Sequence, residues 1–182
     1  MKIDEIQTTR LVLRKFDVDV LNHVHTAYSE EKLREFLGAK TEEEFEKERK
    51  RYEGGWTTFN RTFLFFHILL KETRELIGWC GYHTWYTDHD RAEMGYGLFD
   101  DKWKQKGFMS EAMEAVLDYG FDEMNLHRVE AFIGEENEAS KRTVGKFNFV
   151  REGLMREHYF NNGKHEDSLV YSLLRSEYKP GQ

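Results

Sequence analysis

The chain has 182 residues, a length typical of one domain with a substantial core. Hydrophobic residues make up 39% of it and aromatic residues 15%, with one proline and 14 glycines, so a largely disordered or linker-rich chain is excluded. The net charge of −7, from 34 acidic and 27 basic residues, disfavours nucleic-acid binding, because phosphate contacts require clustered Lys and Arg.

The same composition bears on the cellular compartment. The sequence contains no run of about 18 apolar residues, so no membrane span is expected. The first ten residues, MKIDEIQTTR, lack the apolar segment of a secretory signal. Cys80 is the single cysteine, which rules out an internal disulfide. We therefore expect a cytoplasmic protein with neither a membrane nor a nucleic acid among its partners.

The first third of the chain predicts one strand followed by a helical segment. Residues 10–16 (RLVLRKF) alternate apolar and polar side chains, as a half-buried strand does. Acidic residues then favour a helix over residues 17–27. A capping-box pattern, TEEE, begins at Thr41 and predicts another helix that ends near residues 54–55.

The middle of the chain predicts a run of antiparallel strands. Residues 62–70 (TFLFFHILL) and 76–86 (LIGWCGYHTWY) are rich in aromatic and β-branched residues around a short polar turn, which indicates a hairpin. After a loop at residues 87–90, residues 92–99 (AEMGYGLF) predict a further strand.

The last third predicts helices alternating with strands. Apolar residues recur at helical spacing over 108–123, and a strand follows at 127–133 (HRVEAFI). A short helix is predicted over 140–147, before two antiparallel strands around the turn at 161–164. We expect one α+β domain over residues 1–182. Its central, mostly antiparallel sheet would have about seven strands, helices on both faces and one right-handed parallel crossover.

The stretch KQKGFMSEAM, residues 104–113, stands where a loop enters the long predicted helix. The first N–H groups of a helix lack partners and attract anions, and glycine lets the backbone approach an anion closely. Lys104 and Lys106 add positive charge, so the stretch suits a phosphate or pyrophosphate, although it lacks the ending of a Walker loop. The alternative is a glycine that serves only backbone geometry.

A second stretch, NEASKRTVGKFNF at residues 137–149, follows the predicted fifth strand. Asn137 is a good N-cap, Ser140 would lie in the first helical turn, and Asn148 tolerates the left-handed conformation of a helix stop. Taken alone, the stretch is better explained as a capped surface helix.

These two stretches, with AEMGYGL upstream and EGLMREHYFNNGKHEDSLVYSLL downstream, resemble the GNAT superfamily of N-acetyltransferases in order and spacing. The branch that they resemble most acetylates the N-terminal alanine of ribosomal proteins. The resemblance covers residues 10–178, and it implies a GNAT-like acyl-CoA N-acyltransferase fold with acetyl-CoA as cosubstrate.

The resemblance also implies a set of coenzyme-binding residues. The family's pyrophosphate-binding stretch, Q/R-x-x-G-x-G/A, falls on Lys104, Gln105, Lys106, Gly107, Phe108 and Met109. Asn137 and Ser140 would lie near the pantetheine arm and the thiol. Residues 92–99 would pair with the pantetheine amides, with a main-chain N–H near Leu98 or Phe99 as oxyanion donor. The chain departs from the pattern at Lys104, at Met109 in place of a small residue, and at Asn148 in place of glycine.

Acetyl transfer to an amine requires a proton acceptor, an oxyanion donor and a proton for the leaving thiolate. We expect Glu93 to be the base, directly or through a bridging water, because strand alternation places it with Gly95 and Gly97 on one face, where the glycines would leave open space. The alternative is a solvated glutamate beside Arg91. Ser140 could hydrogen-bond the sulfur and return a proton, and Tyr159 is a more remote acid candidate.

Other chemistry finds little support. Cys80 lies among apolar strand residues and is expected to pack, and the eight histidines show no metal-ligand spacing, so no metal is expected. The sequence therefore predicts an acetyl-CoA-dependent N-acetyltransferase acting on a primary amine, either a protein N-terminus or a small amine. A homodimer is the candidate assembly. The alternatives are a non-catalytic acyl-CoA sensor and an anion-binding structural domain.

Overall fold

The computed structural model describes residues 1–55, 57 and 61–180. The strands are β1 Glu5–Gln7, β2 Leu11–Asp17, β3 Arg61–Leu70, β4 Leu76–Tyr86, β5 Arg91–Leu98, β6 Arg128–Gly134, β7 Val150–Asn161 and β8 Lys164–Leu174. The α-helices are α1 Val18–Ala27, α2 Glu30–Leu37, α3 Glu42–Gly54, α4 Phe108–Asp122 and α5 Glu138–Lys146.

The strands form one sheet in the order β1-β2-β3-β4-β5-β6-β8-β7. Neighbouring strands are antiparallel except β5 and β6, which are parallel and joined through α4. The predicted mixed, mostly antiparallel sheet with its one crossover is confirmed. The expected count of about seven strands is too low by one, because β1 has only three residues and is too short to show an alternating pattern.

Helix starts follow the predicted caps. The Asp17 side chain accepts from the Val20 N–H at 3.0 Å, and Thr41 and Glu44 form a complete capping box at the start of α3. The sequence analysis did not separate α2, which is eight residues long and buries only Leu33 and Phe36. Too few apolar positions recur there to show a helical period.

The two faces of the sheet carry different helices. On one face, α4 packs through Met113 and Val116, and the Tyr82 hydroxyl donates to the Val116 carbonyl at 2.9 Å. A Cβ on Gly120 would lie 2.0 Å from that hydroxyl oxygen, so helix and strand touch directly. On the other face, α1, α2 and α3 cover an aromatic cluster around Phe16. Each large apolar side chain buried in these layers contributes roughly 1.5–3 kcal/mol.

The feature that positions the site is a split between β5 and β6. The two strands pair only from Arg91 opposite Arg128 to Glu93 opposite Glu130. β5 continues to Leu98 alongside β4, whereas β6 continues to Gly134 alongside β8. Since both outer pairings persist, the two strands diverge and leave a gap that opens beyond Glu93.

In the described part of the chain, no α-helix combines the length and the apolar character needed to cross a bilayer.

Candidate active site

The register of β5 directs main-chain groups into this gap. In an antiparallel ladder, bonded and non-bonded residue pairs alternate. The Phe99 N–H donates to the Ile77 carbonyl at 2.9 Å, so Phe99 belongs to the set of residues that bond to β4. Tyr96 and Leu98 belong to the alternate set, and their N–H and C=O groups point away from β4. Main-chain N–H and C=O groups without a strand partner therefore line the gap. Groups of this kind at the edge of a sheet can pair with an added extended chain.

The same contact corrects one expectation. Phe99 was expected, with Leu98, to supply a main-chain N–H near the reacting carbonyl. The Phe99 N–H is already bonded within the sheet, so it does not face the gap. Leu98 has the required direction, because it belongs to the alternate, outward-facing set.

The start of α4 presents unpaired N–H groups. Gly107 is the N-cap residue with φ +78°, and no side chain caps the helix start. The first helical bond runs from the Glu111 N–H to the Gly107 carbonyl at 3.1 Å. Within the described residues, the N–H groups of Phe108, Met109 and Ser110 have no acceptor. An uncapped helix N-terminus of this kind attracts an anion.

The loop before α4 has two left-handed residues and a dedicated clamp. Gln105 has φ +59°, a conformation that costs a non-glycine residue about 1–2 kcal/mol. Arg10 donates through Nη1 to the Lys106 carbonyl at 2.9 Å and through Nε to Glu111 Oε2 at 2.7 Å. Its guanidinium also lies 4.5 Å from the centre of the Phe108 ring. Arg10 is about a hundred positions away in sequence, so no local pattern could have indicated this role.

The predicted loop residues differ in what they offer an anion. Lys104 Nζ lies 2.6 Å from Asp101 Oδ1 and Lys106 Nζ lies over the Trp103 ring, both near the surface. The Met109 side chain packs against the core, so it does not obstruct the helix start. Another cation, Lys146 from the end of α5, reaches Ser110 Oγ at 3.0 Å and adds positive charge that the sequence analysis missed.

The N-terminus of α5 lies beside the gap. The Asn137 side chain accepts from the Ser140 N–H at 3.0 Å and caps the helix, as the sequence suggested. The Tyr96 hydroxyl is 3.5 Å from the Ser140 carbonyl, a long contact that sets the helix over β5. In the described structure the Ser140 hydroxyl has no hydrogen-bond partner. The helix stop at Asn148 has φ +59°, which explains why Asn is accepted in the position of a glycine.

Glu93 stands where β5 and β6 part. Its side chain is only 12% exposed and its Oε1 lies 3.2 Å from His83 Nε2. The Tyr159 hydroxyl donates to the same oxygen at 3.0 Å. Burial alone would raise the pKa of Glu93, but the hydrogen bonds from His83 and Tyr159 outweigh it and the pKa is lowered. Burial and the neighbouring carboxylate raise the pKa of Tyr159 to about 12.

The alternative of a solvated Glu93 beside Arg91 is wrong, because Glu93 is largely buried and Arg91 donates instead to Glu130 Oε2 at 2.7 Å. The sequence did not indicate His83, since a register shift in β4 between Tyr82 and Thr84 sets it beside Glu93. Tyr159 was considered only as a remote candidate. It reaches Glu93 from β7, which has two strands between it and β5 in the sheet.

The open space expected beside Glu93 is also wrong. Gly95 and Gly97 do face the same side of β5, but aromatic rings from β4 cover them. A Cβ on Gly95 would lie 2.4 Å from the His83 ring and 2.8 Å from the Trp79 ring. The glycines therefore make room for these two side chains, which form the floor of a pocket rather than leave a void.

That pocket lies between this floor and α3, on the face opposite α4. Its volume is about 640 Å³, within the range of small-molecule sites. The described residues that line it are Phe16, Leu37, Glu48, Lys50, Arg51, Gly54, Gly55, Phe65, His67, Trp79, His83 and Phe99. His83 is thus shared between the pocket and Glu93, so the pocket reaches the vertex of the gap.

Two further expectations concern residues outside this arrangement. Cys80 is fully buried, and burial raises the pKa of its thiol, which confirms a packing role. In the residues that the structure describes, no three side chains of His, Cys, Asp or Glu are placed to hold a metal ion.

An eight-stranded mixed sheet, split beside an uncapped helix start, defines an acyltransferase-type domain. The family model of the acetyltransferase (GNAT) domain matches residues 10–150, and the chain belongs to this family. The predicted resemblance and the enzyme class, an N-acetyltransferase, are confirmed.

Relatives support the assignment along nearly the whole chain. The uncharacterized N-acetyltransferase YoaA of Bacillus subtilis is 30% identical over 93% of this chain and 96% of its own length. The uncharacterized N-acetyltransferase p20 of Bacillus licheniformis is 42% identical over 62% of this chain, and the match spans 63% of p20. The crystal structure of a GNAT-family acetyltransferase from Bacillus anthracis superimposes with a TM-score of 0.66 at 29% identity, covering 95% of this chain and 99% of that one.

Proposed function

We propose that this protein transfers the acetyl group of acetyl-CoA to a primary amine by direct attack, with both substrates bound together. The observation that carries the proposal is the gap between β5 and β6. It joins three features that this reaction needs: unpaired strand groups, free N–H groups at a helix start, and an ionised carboxylate at its vertex. The residues fit a pantetheine arm lying along β5 and a diphosphate at residues 104–109.

In the proposed complex, the chain holds the coenzyme mainly through its backbone. The N–H groups of Phe108, Met109 and Ser110 and the charge of Lys146 face the diphosphate. Leu98 directs a main-chain N–H toward the thioester oxygen, where it would stabilise negative charge during attack. Asn137 acts by shaping the start of α5, since its side chain is engaged as a cap.

Proton transfer is assigned to the side chains around the vertex. The amine nitrogen attacks the thioester carbonyl carbon, a C–N bond forms, the C–S bond breaks, and nitrogen loses one proton. Glu93 accepts that proton, directly or through a water, and its low pKa keeps it ionised at neutral pH. The Ser140 hydroxyl donates a hydrogen bond to the leaving sulfur. Tyr159 and His83 position the Glu93 carboxylate.

The pocket lined by Trp79 and His83 is proposed as the acceptor site, because it meets Glu93 on the face of the sheet opposite α4. Relatives act on different amines. Spermidine N(1)-acetyltransferase of Escherichia coli is 27% identical over 52% of this chain. The ribosomal-protein-S5-alanine acetyltransferase of Vibrio fischeri shares the fold, with a TM-score of 0.67 at 20% identity. A protein N-terminus and a small amine are therefore both candidate acceptors.

The remaining elements of the proposal are a single domain over residues 1–182, a cytoplasmic location and a possible homodimer. A non-catalytic acyl-CoA sensor is the second candidate function, since free donors at a helix start would serve binding alone.

The deciding experiment measures thiol release from acetyl-CoA with a panel of amines and N-terminal peptides, beside calorimetric titration of desulfo-CoA. Amine-dependent thiol release together with coenzyme binding supports the enzyme. Coenzyme binding without release on any amine favours the sensor. Absence of coenzyme binding would exclude both the enzyme and the acyl-CoA sensor, and a structural domain would remain.

A further inference from the structure

The proposed acceptor pocket contains a histidine, His67, whose protonation and tautomer follow from its surroundings. His67 lies on β3 and is 6% exposed, among aromatic neighbours. Its ring stacks on Phe16 with centroids 4.9 Å apart and lies 5.5 Å from the Phe36 ring. A histidine buried in this way needs hydrogen-bond partners for both ring nitrogens.

One partner of His67 is a half-buried arginine. Arg14 Nη2 lies 2.8 Å from His67 Nδ1, and the same Nη2 donates to the Phe36 carbonyl at 2.7 Å. Arginine has donors and no acceptor, so His67 Nδ1 must be the acceptor, and the ring hydrogen is on Nε2. Burial, with the Arg14 charge, lowers the pKa of His67 to about 3, so the ring is neutral.

The other nitrogen has no partner in the described part of the chain. His67 lines the pocket, and its Nε2–H is therefore a donor for whatever the pocket holds. Arg14 donates to the opposite nitrogen of the ring, and this charge-assisted bond polarises the Nε2–H donor. The complementary group on a ligand is an oxygen acceptor, such as a carbonyl or a carboxylate.

The rest of the lining disfavours a polycation. Among the described residues of the lining, most side chains are aromatic and two, Lys50 and Arg51, are basic. Glu48, the one acidic residue among them, is paired with Arg51 at 2.9 Å. A polyamine needs a carboxylate for each of its charges once it is desolvated. An apolar body, by contrast, gains roughly 25 cal/mol for each Å² that it buries against these rings.

The spacing of the two polar ends sets the length of the ligand. His67 is opposite Trp79 in the register, and His83 is four positions further along β4. Glu93 lies on β5, two strands across the sheet from His67 and four positions along it, so at about 3.3 Å per residue and about 4.8 Å per strand the two residues are roughly 16 Å apart. An amine at Glu93 and an oxygen at His67 would thus belong to one elongated molecule.

We propose that His67 is the specificity-determining donor of the acceptor site, selecting an elongated monoamine with an apolar body and an oxygen acceptor at its far end. The inference rests on the proposed acetyl transfer and adds the substrate class. A peptide with apolar first residues and a small amino amide share this chemistry, and both are candidate acceptors.

The experiment compares three probes by kcat/KM in the thiol-release assay. The first is an ω-amino amide whose chain spans about 16 Å, the second an alkylamine of the same length, and the third spermidine. The wild type is expected to prefer the amide over the alkylamine about tenfold, with spermidine the poorest. Equal rates on the first two probes, or spermidine as the best substrate, would overturn the proposal.

Two variants separate recognition from stability. His67→Phe keeps an aromatic ring but removes the donor, so the ratio of kcat/KM on the amide to kcat/KM on the alkylamine should fall from about ten to about one. His67→Gln offers an oxygen to Arg14 and an N–H to the pocket, so it should retain the preference. Loss of rate on both probes in equal proportion, with the preference kept in His67→Phe, would show a merely structural role. If His67→Phe does not fold, the wild-type preference and its retention in His67→Gln decide the question.

Failure of the acetyl-transfer proposal has a different signature, because it would abolish thiol release with every amine, in the wild type as in the variants.

Discussion

The two faces of the sheet are built for different tasks. On the α4 face, the candidate coenzyme site consists of main-chain groups, held by a glycine N-cap and by the Arg10 clamp. On the α1–α3 face, the candidate acceptor pocket consists of side chains, chiefly aromatic rings with His67 and His83 among them. A site made of backbone tolerates changes of side chain, whereas a site made of side chains changes its ligand with each substitution.

The vertex at Glu93 should give the largest effect, because it joins the two faces. Glu93→Gln removes the proton acceptor but keeps the size of the side chain, so kcat should fall about 100-fold or more. The affinity for desulfo-CoA should stay within about twofold, as measured by calorimetry. Glu43→Gln, an exposed position in the first turn of α3, is the matched control and should match the wild type. A kcat unchanged in Glu93→Gln would remove the base assignment.

The packing of α4 on β4 should give the next effect. Gly120→Ala places a Cβ against the Tyr82 hydroxyl and should lower the free energy of unfolding by about 1–3 kcal/mol. Gly145→Ala in α5 meets nothing within 4 Å and should be neutral or slightly stabilising. Urea denaturation of the two variants measures the difference. Equal stabilities would contradict the close contact between Gly120 of α4 and Tyr82 of β4.

The helix start should respond more weakly. Gly107→Ala forces an L-residue into φ +78° and brings a Cβ to 3.3 Å from Arg10 Nη2. The free loop of the variant can relax out of the left-handed conformation, and coenzyme binding must restore that conformation at a cost of about 1–2 kcal/mol. The coenzyme should therefore bind about tenfold more weakly. Gly163→Ala, at φ +80° in the β7–β8 turn, carries comparable strain far from the helix start and should leave coenzyme affinity unchanged. Equal weakening in both would point to general destabilisation.

The smallest expected effect is on the pH dependence of stability. Because the folded state lowers the pKa of Glu93 below its ordinary 4.5, the carboxylate contributes stability that is fully present above that value. The contribution is lost as the pH falls through the lowered pKa. The stability difference between wild type and Glu93→Gln should therefore shrink on going from about pH 7 to about pH 3.5, in urea titrations at each pH. A difference that grows on acidification would contradict the assigned direction.

Local patterns were sufficient for several helix starts on both faces of the sheet. Three helix starts could be predicted because each depends on residues within one turn of chain: the capping box at Thr41, the cap at Asn137 and the glycine before α4. The strand β1 and the helix α2 were missed, because neither presents enough apolar positions to show a period.

What the sequence by itself determined is the mixed, mostly antiparallel sheet with its one crossover, the family, and several helix caps, since these depend on short-range periodicity and capping. Only the tertiary structure decided the contacts between distant residues: Arg10 with Lys106, His83 and Tyr159 with Glu93, and Arg14 with His67. These pairs depend on strand register and on a bulge in β4, neither of which leaves a local signal. The candidate acceptor pocket therefore could not be predicted from the sequence, because its chemistry comes from distant side chains that only the folded sheet brings together.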